Sequence, residues 1–64
     1  MDWISVKDRL PESYATYLVY ELNVHRIAFA DYYGDGEWLA CYNLTNITRC
    51  VTHWMPLPEP PKED

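Results

Sequence analysis

Two runs of β-branched and aromatic residues dominate the first half of the chain, and this composition is typical of strands. The runs are TYLVYE (residues 16–21) and VHRIAFADYY (residues 24–33). Only Leu22 and Asn23 separate them. The pattern therefore predicts a first hairpin with a two-residue loop.

A second hairpin is predicted at Asp35-Gly36, which lies between two aromatic-rich runs. Both central positions of a type I′ turn need positive φ, which Asp and Gly tolerate. RCVTHW (residues 49–54) then predicts a last strand, which the following prolines end. The expected fold is mainly β, a small antiparallel sheet of three to four strands (a meander) with the N-terminal and Pro-rich C-terminal segments packed on it. We expect one domain over residues 1–58 and a solvated C-terminal tail over residues 59–64.

Strand alternation sorts the predicted sheet into two faces. If Tyr33 pairs with Trp38, the first face carries the larger side chains, and we expect it to be the core. Its members are Leu18, Tyr20, His25, Ile27, Phe29, Tyr33, Trp38 and Tyr42. The second face is also mostly apolar, although one face of a meander usually meets water, so either the chain ends cover it or it binds a partner. Its candidate partner-binding residues are Tyr17, Val19, Ala28, Ala30, Tyr32 and Leu39.

The chain ends carry enough apolar side chains to pack on a sheet. Four prolines between residues 56 and 61 favour polyproline II, which either offers a ligand to SH3-like domains or lays the tail stiffly along the domain. We favour the second interpretation through Leu57, and we expect Trp3 and Trp54 to lie near each other. The residues assigned to this structural motif are Trp3, Leu10, Pro11, Trp38, His53, Trp54, Pro56, Leu57 and Pro58.

The charge balance narrows the class of partner. Five Lys and Arg against ten Asp and Glu give this 64-residue chain a formal net charge of −5. Nucleic-acid binding needs clustered cations, and these are scattered, so we predict no nucleic-acid partner. No signal peptide and no stretch long enough to span a membrane is recognisable. We therefore predict a cytoplasmic protein with no membrane partner.

Few residues suggest chemistry. The first alternative is a small metal-stabilised domain that uses Cys41, Cys50 and His53, with His25 as an optional fourth ligand. Zinc ligands normally come in close pairs, and only Cys50 and His53 do. The second alternative is a small-molecule binder or enzyme centred on His53. No nucleophile and base pair and no glycine-rich phosphate loop is apparent, so we predict no catalytic residue and no cofactor. A Cys41–Cys50 disulfide requires the third and fourth strands to pair, and a cytoplasmic setting disfavours it.

Four segments resemble a family of short proteins known as domain of unknown function 551, common in tailed bacteriophages and prophages. They are WISVKDRLPE (residues 3–12), YLVY (residues 17–20), the step from Gly36 to Trp38, and VTHWMPLPEPP (residues 51–61). The middle of the chain departs from the family, because SYAT stands where a glycine-containing turn is usual and residues 43–49 are particular to this chain. The resemblance implies an accessory protein of a phage or prophage, with no established catalytic residues.

The expected function follows from the surplus of apolar sheet face and from the family resemblance. We predict a non-enzymatic interaction module, acidic and cytoplasmic, whose partner is a host protein or a second copy of the chain. Inhibition or modulation of a host defence protein is one form of this function. It rests on analogy with other small phage proteins.

Overall fold

The computed structural model describes residues 2–58, which form a five-stranded antiparallel sheet in the order β1-β5-β2-β3-β4. The strands are β1 (Ile4–Ser5), β2 (Ala15–Glu21), β3 (Arg26–Tyr32), β4 (Trp38–Ala40) and β5 (Val51–Pro56). The predicted mainly β, antiparallel fold is confirmed. Residues 2–58 contain no helix long and apolar enough to cross a membrane. The tail predicted at residues 59–64 lies outside the described residues.

The meander covers β2, β3 and β4, while β5 crosses back to pair with β2 and β1. The free edge of β4 is already occupied, because Ile47 donates its backbone N–H to Trp38 and Leu39 forms a bridge with Asn46. The last strand therefore pairs elsewhere, between β1 and β2. The N-terminal segment adds the fifth strand, since Ile4 pairs with Trp54.

The first hairpin turns over four residues, Leu22 to His25, because Glu21 pairs with Arg26. Positive φ falls on His25, at 51°. A two-residue hairpin loop needs positive φ at its first position, and a bulky aliphatic residue such as Leu22 adopts it poorly. The register thus differs by two residues from the predicted one, and an even shift leaves every side chain on its predicted side of the sheet.

The second hairpin contains the predicted turn but has a different register. Asp35 and Gly36 have φ values of 52° and 77°, and Glu37 donates its N–H to the Gly34 carbonyl at 2.9 Å. Gly34 is itself an extra residue with a φ of 94°, so Tyr32, not Tyr33, pairs with Trp38. A shift of one residue reverses every side chain of β4. Trp38 therefore shares the face of Tyr32.

The expected assignment of core and exposed faces was wrong. Ile27 and Phe29, expected in the core, are 59% and 55% exposed. The core lies on the opposite face, which we call the inner face. Its buried cluster consists of Val19, Ala30, Tyr32, Trp38, Ala40, Ile47, Val51 and Trp54.

Small strand residues explain why the inner face forms the core. Ala30 and Ala40 are opposite each other in the ladder, and small side chains there leave room for large rings. The Tyr17 ring meets Trp54 edge-on with a centroid distance of 5.1 Å and Trp38 at 6.1 Å. Such edge-to-face pairs add to the free energy gained by burial. The inner face is therefore filled by the rings of β2, β4 and β5.

The chain ends meet, but through backbone pairing and not through the two tryptophan rings. Ile4 and Trp54 are paired, so their side chains share the inner face, and alternation places the Trp3 side chain on the opposite side. The expected proximity of the Trp3 and Trp54 rings was therefore wrong. Among the other motif residues, Pro11 is buried, while Leu10, Pro56, Leu57 and Pro58 are exposed.

Candidate functional site

The outer face of β2, β3 and β4 carries four apolar side chains, which we call the apolar patch: Leu18, Ile27, Phe29 and Leu39. Ile27 and Phe29 are exposed, whereas Leu18 and Leu39 are half-buried. Leu18 pairs with Phe29, and Leu39 reaches this face because it pairs with Asp31. Asp31 is the only Asp, Glu, Lys or Arg residue at the outward positions of these three strands. The patch is thus apolar, with one carboxylate at its margin.

Most of the residues predicted to bind a partner belong instead to the core. Val19 and Ala30 have no exposed surface and Tyr32 is 6% exposed, while Tyr17 and Ala28 are half-buried on the same inner face. Of the predicted set, only Leu39 lies on the outer face. Val19, Ala30 and Tyr32 are therefore not available to a partner.

The sequence pattern did not identify Ile27 and Phe29 as surface residues. The pair Ala28 and Ala30 distinguishes the two faces, although both residues were expected among the partner-binding positions. In the structure Ala30 belongs to the buried cluster, and Ala28 packs against that cluster. Small residues on one face of a strand can therefore mark the core.

A second group of side chains lies where β1, β5 and β2 adjoin, and we call it the His53 corner: Trp3, Tyr20 and His53. These three residues line a cleft of about 200 Å³. Tyr20 and Ser5 both pair with His53, so strand alternation brings all the side chains to the outer face. The Nδ1 atom of His53 lies 3.0 Å from the Thr52 hydroxyl.

A more polar cleft adjoins the His53 corner, because His53 also forms part of its wall. It measures about 410 Å³ and is lined by Ser5, Val6, Lys7, Arg49, Val51, Thr52 and His53. Two of the five basic residues of the chain therefore lie beside one histidine. Nothing in the sequence spacing predicted this, since Lys7 and Arg49 are brought together by the pairing of β1 with β5.

A buried carboxylate connects the first hairpin to the segment after β4. Glu21 is 1% exposed and accepts hydrogen bonds from the Tyr42 hydroxyl at 2.7 Å and from Arg26 Nε at 3.2 Å. The Arg26 guanidinium also lies 4.4 Å from the centroid of the Tyr42 ring. These contacts raise the pKa of Arg26, with the hydrogen bond to Tyr42 as the largest cause and Glu21 next. All three side chains satisfy one another, so this triad is structural.

The ligand set of the metal alternative is not assembled. Within residues 2–58 no group of three His, Cys, Asp or Glu side chains is placed to hold a metal ion. His25 lies in the first turn, and Cys41 and Cys50 are both free thiols, which agrees with the absence of pairing between β4 and β5 in the strand order. The pKa of Cys41 is raised, mainly by desolvation and further by the neighbouring Asp31 carboxylate.

A family model covers nearly all of the chain. The model described as Protein of unknown function (DUF551) matches residues 2–62. The chain belongs to this family. This match confirms the resemblance inferred from the terminal motifs. In this DUF551 protein the two ends form adjacent strands, β1 and β5.

The relatives of this DUF551 protein include a phage protein. The "Uncharacterized 7.8 kDa protein in ral-gp17 intergenic region" of Salmonella phage P22 is 41% identical over 69 residues, which cover 98% of this chain and 100% of the relative. No solved structure matches the chain. The phage connection predicted from the sequence is supported by this relative.

Proposed function

We propose that this DUF551 protein is a non-enzymatic accessory protein of a phage or prophage that binds a host protein in the cytoplasm through the apolar patch. The observation that carries the proposal is the contrast between the two sheet faces. The inner face is filled by the chain's own rings, whereas Ile27 and Phe29 on the outer face are each more than half exposed. Covering such side chains is favourable by about 25 cal/mol for each Å² removed from water.

The size of the patch suits a docking surface. Strands about 4.8 Å apart, with seven, seven and three residues at about 3.3 Å per residue, give the outer face of β2, β3 and β4 a footprint on the order of 300 Å², of which the apolar patch is a part. Contiguous apolar patches of about 300–600 Å² on monomeric proteins are often functional. The patch is small, so we expect polar contacts around its margin to contribute to the interface.

Charge favours a host protein over a second copy of the chain. Two copies would each carry a formal net charge of −5 over the whole chain, and like net charges oppose association. Asp31 lies at the margin of the patch with no basic residue at the outward strand positions around it. The complementary partner is an apolar host surface with a cationic margin. Modulation of a host defence protein is compatible with that chemistry.

The proposal is tested by first capturing host proteins on the tagged wild-type chain and then measuring the affinity of the purified partner by calorimetry. Phe29→Glu places a charge in the centre of the patch and should weaken binding at least tenfold. Leu44→Glu is the matched control, because Leu44 is 73% exposed and lies outside the patch. It should bind as wild type does. Circular dichroism and thermal melting check that both variants are folded.

Two outcomes contradict the proposal. A captured partner that binds Phe29→Glu and Ile27→Glu as tightly as the wild type would place the interface elsewhere. A wild-type dimer in sedimentation experiments that Phe29→Glu converts to monomer, with no host protein captured, would replace the host partner by a second copy.

A further inference from the structure

The His53 corner and the polar cleft beside it form a site of different chemistry from the apolar patch. His53 lines both clefts. Trp3 and Tyr20 line the first cleft with it, and Lys7 and Arg49 are among the residues that line the second. We propose that this composite site binds a small aromatic anion, with its ring in the first cleft and its carboxylate or phosphate group in the second. The inference goes beyond the proposed function, since it concerns a free small molecule and other residues.

The first cleft suits a planar ring. Its lining consists of three aromatic side chains, and its volume of about 200 Å³ corresponds to about seven water molecules of roughly 30 Å³ each. Aromatic rings pack well in stacked or edge-on arrangements. Tyr20 is positioned by its hydroxyl, 3.3 Å from His25 Nδ1. His53 is positioned by its contact with Thr52, so two of the three rings are oriented by hydrogen bonds before any ligand arrives.

The second cleft suits an anionic group. Among residues 2–58 the ion pair is that of Arg26 with Glu21, so neither Lys7 nor Arg49 has a carboxylate partner there. Arg and Lys bind carboxylates and phosphates through charge-assisted hydrogen bonds. The hydroxyl of Ser5, which lines the same cleft, supplies a further donor.

The two halves are joined by the strand pairing. Ser5 pairs with His53, and Trp3 and Lys7 lie two residues on either side of Ser5. The aromatic half and the cationic half therefore lie on opposite sides of the Ser5–His53 pair. His53 lines both clefts, so we expect a ligand that carries both a ring and an anionic group to contact both halves, whereas a bare ring or a bare anion contacts one.

The experiment is an NMR titration of the wild-type chain with phenyl phosphate, followed through the backbone amides and the tryptophan indole N–H groups. Inorganic phosphate and phenol, used at the same concentrations, represent the two halves of the probe, and benzoate tests whether a carboxylate replaces the phosphate. We expect phenyl phosphate to shift the Trp3 indole signal and to bind at least tenfold more tightly than phosphate or phenol.

Variants assign the two halves. Trp3→Leu should reduce phenyl phosphate affinity to that of inorganic phosphate, and the double variant Lys7→Gln with Arg49→Gln should reduce it to that of phenol. Arg9→Gln is the matched control, because Arg9 lines neither cleft, and it should leave the affinity unchanged. The dispersion of the amide spectrum shows whether each variant is folded.

The proposal is overturned if phenyl phosphate and benzoate bind no more tightly than phosphate and phenol. It is also overturned if the double variant binds phenyl phosphate as the wild type does. Neither outcome bears on the apolar patch, because the patch and the composite site share no residue.

Discussion

The indole of Trp54 donates a hydrogen bond from Nε1 to the backbone carbonyl of Arg9 at 3.0 Å. Since Trp54 is 5% exposed and lies in β5, this bond fixes the N-terminal segment after β1 against the inner face. A second backbone bond, from Val6 N–H to the Thr52 carbonyl at 3.0 Å, extends the contact. The two terminal motifs of the family therefore act together as one structural unit.

Replacing Trp54 by Phe should be strongly destabilising. The variant keeps an aromatic ring but loses the N–H donor to Arg9 and part of the buried volume, so we expect the free energy of unfolding to fall by about 2–4 kcal/mol. Urea denaturation measures the change. Trp3→Phe is the control, because Trp3 is 37% exposed, and it should cost less than about 1 kcal/mol. Equal losses in the two variants would contradict the role of Trp54.

Removing the hydroxyl of Tyr42 tests the buried carboxylate of Glu21. Tyr42→Phe leaves Glu21 Oε1 without its donor, and a buried charged acceptor that loses a partner costs about 1–3 kcal/mol. Thermal or urea unfolding measures the loss. Tyr33→Phe is matched to it, since the Tyr33 hydroxyl accepts a hydrogen bond from Asn46 at an exposed position, and little change is expected. A neutral Tyr42→Phe would mean that water replaces the hydroxyl.

Cys41 should be a slow nucleophile at neutral pH despite its exposure. Its pKa is raised, first by desolvation and then by Asp31, and the thiolate is the reactive form. In a Cys50→Ser background, the alkylation rate with iodoacetamide should reach half its maximum at a higher pH than for a free cysteine peptide. Asp31→Asn removes a negative charge and should lower that pH. Mass spectrometry between pH 7 and 10 follows the reaction, and half-maximal alkylation at or below the pH found for the peptide would contradict the prediction.

The turn at Asp35-Gly36 shows which features of the second hairpin the local sequence predicts and which it does not. The sequence predicted positive φ at both positions, and the structure has it. It did not predict the extra residue Gly34, because a glycine beside a turn fits either a strand end or a bulge. That one residue changed the partner of Trp38 from Tyr33 to Tyr32. The turn was therefore predicted correctly, but the side chains of β4 were assigned to the wrong face of the sheet.

The site depended even more on tertiary structure. Trp3 and His53 were recognised as motif residues from the sequence, but their common cleft with Tyr20 arises from the pairing of β5 with both β1 and β2. The apolar patch was missed for a different reason. Both faces of β2 and β3 carry apolar residues, so alternation identified which residues share a face without deciding which face is covered.

The sequence by itself determined the class of fold, the positions of the principal strands, the second turn and the family, because these follow from local preferences and from motifs at the two ends. Tertiary structure alone decided the strand order, the buried face and the two surface sites. The physical reason is that β4 is occupied along its free edge by residues 45–47, which sends β5 to the other side of β2. Trp54 then reaches the small residues of the inner face, and the outer face keeps its exposed apolar side chains.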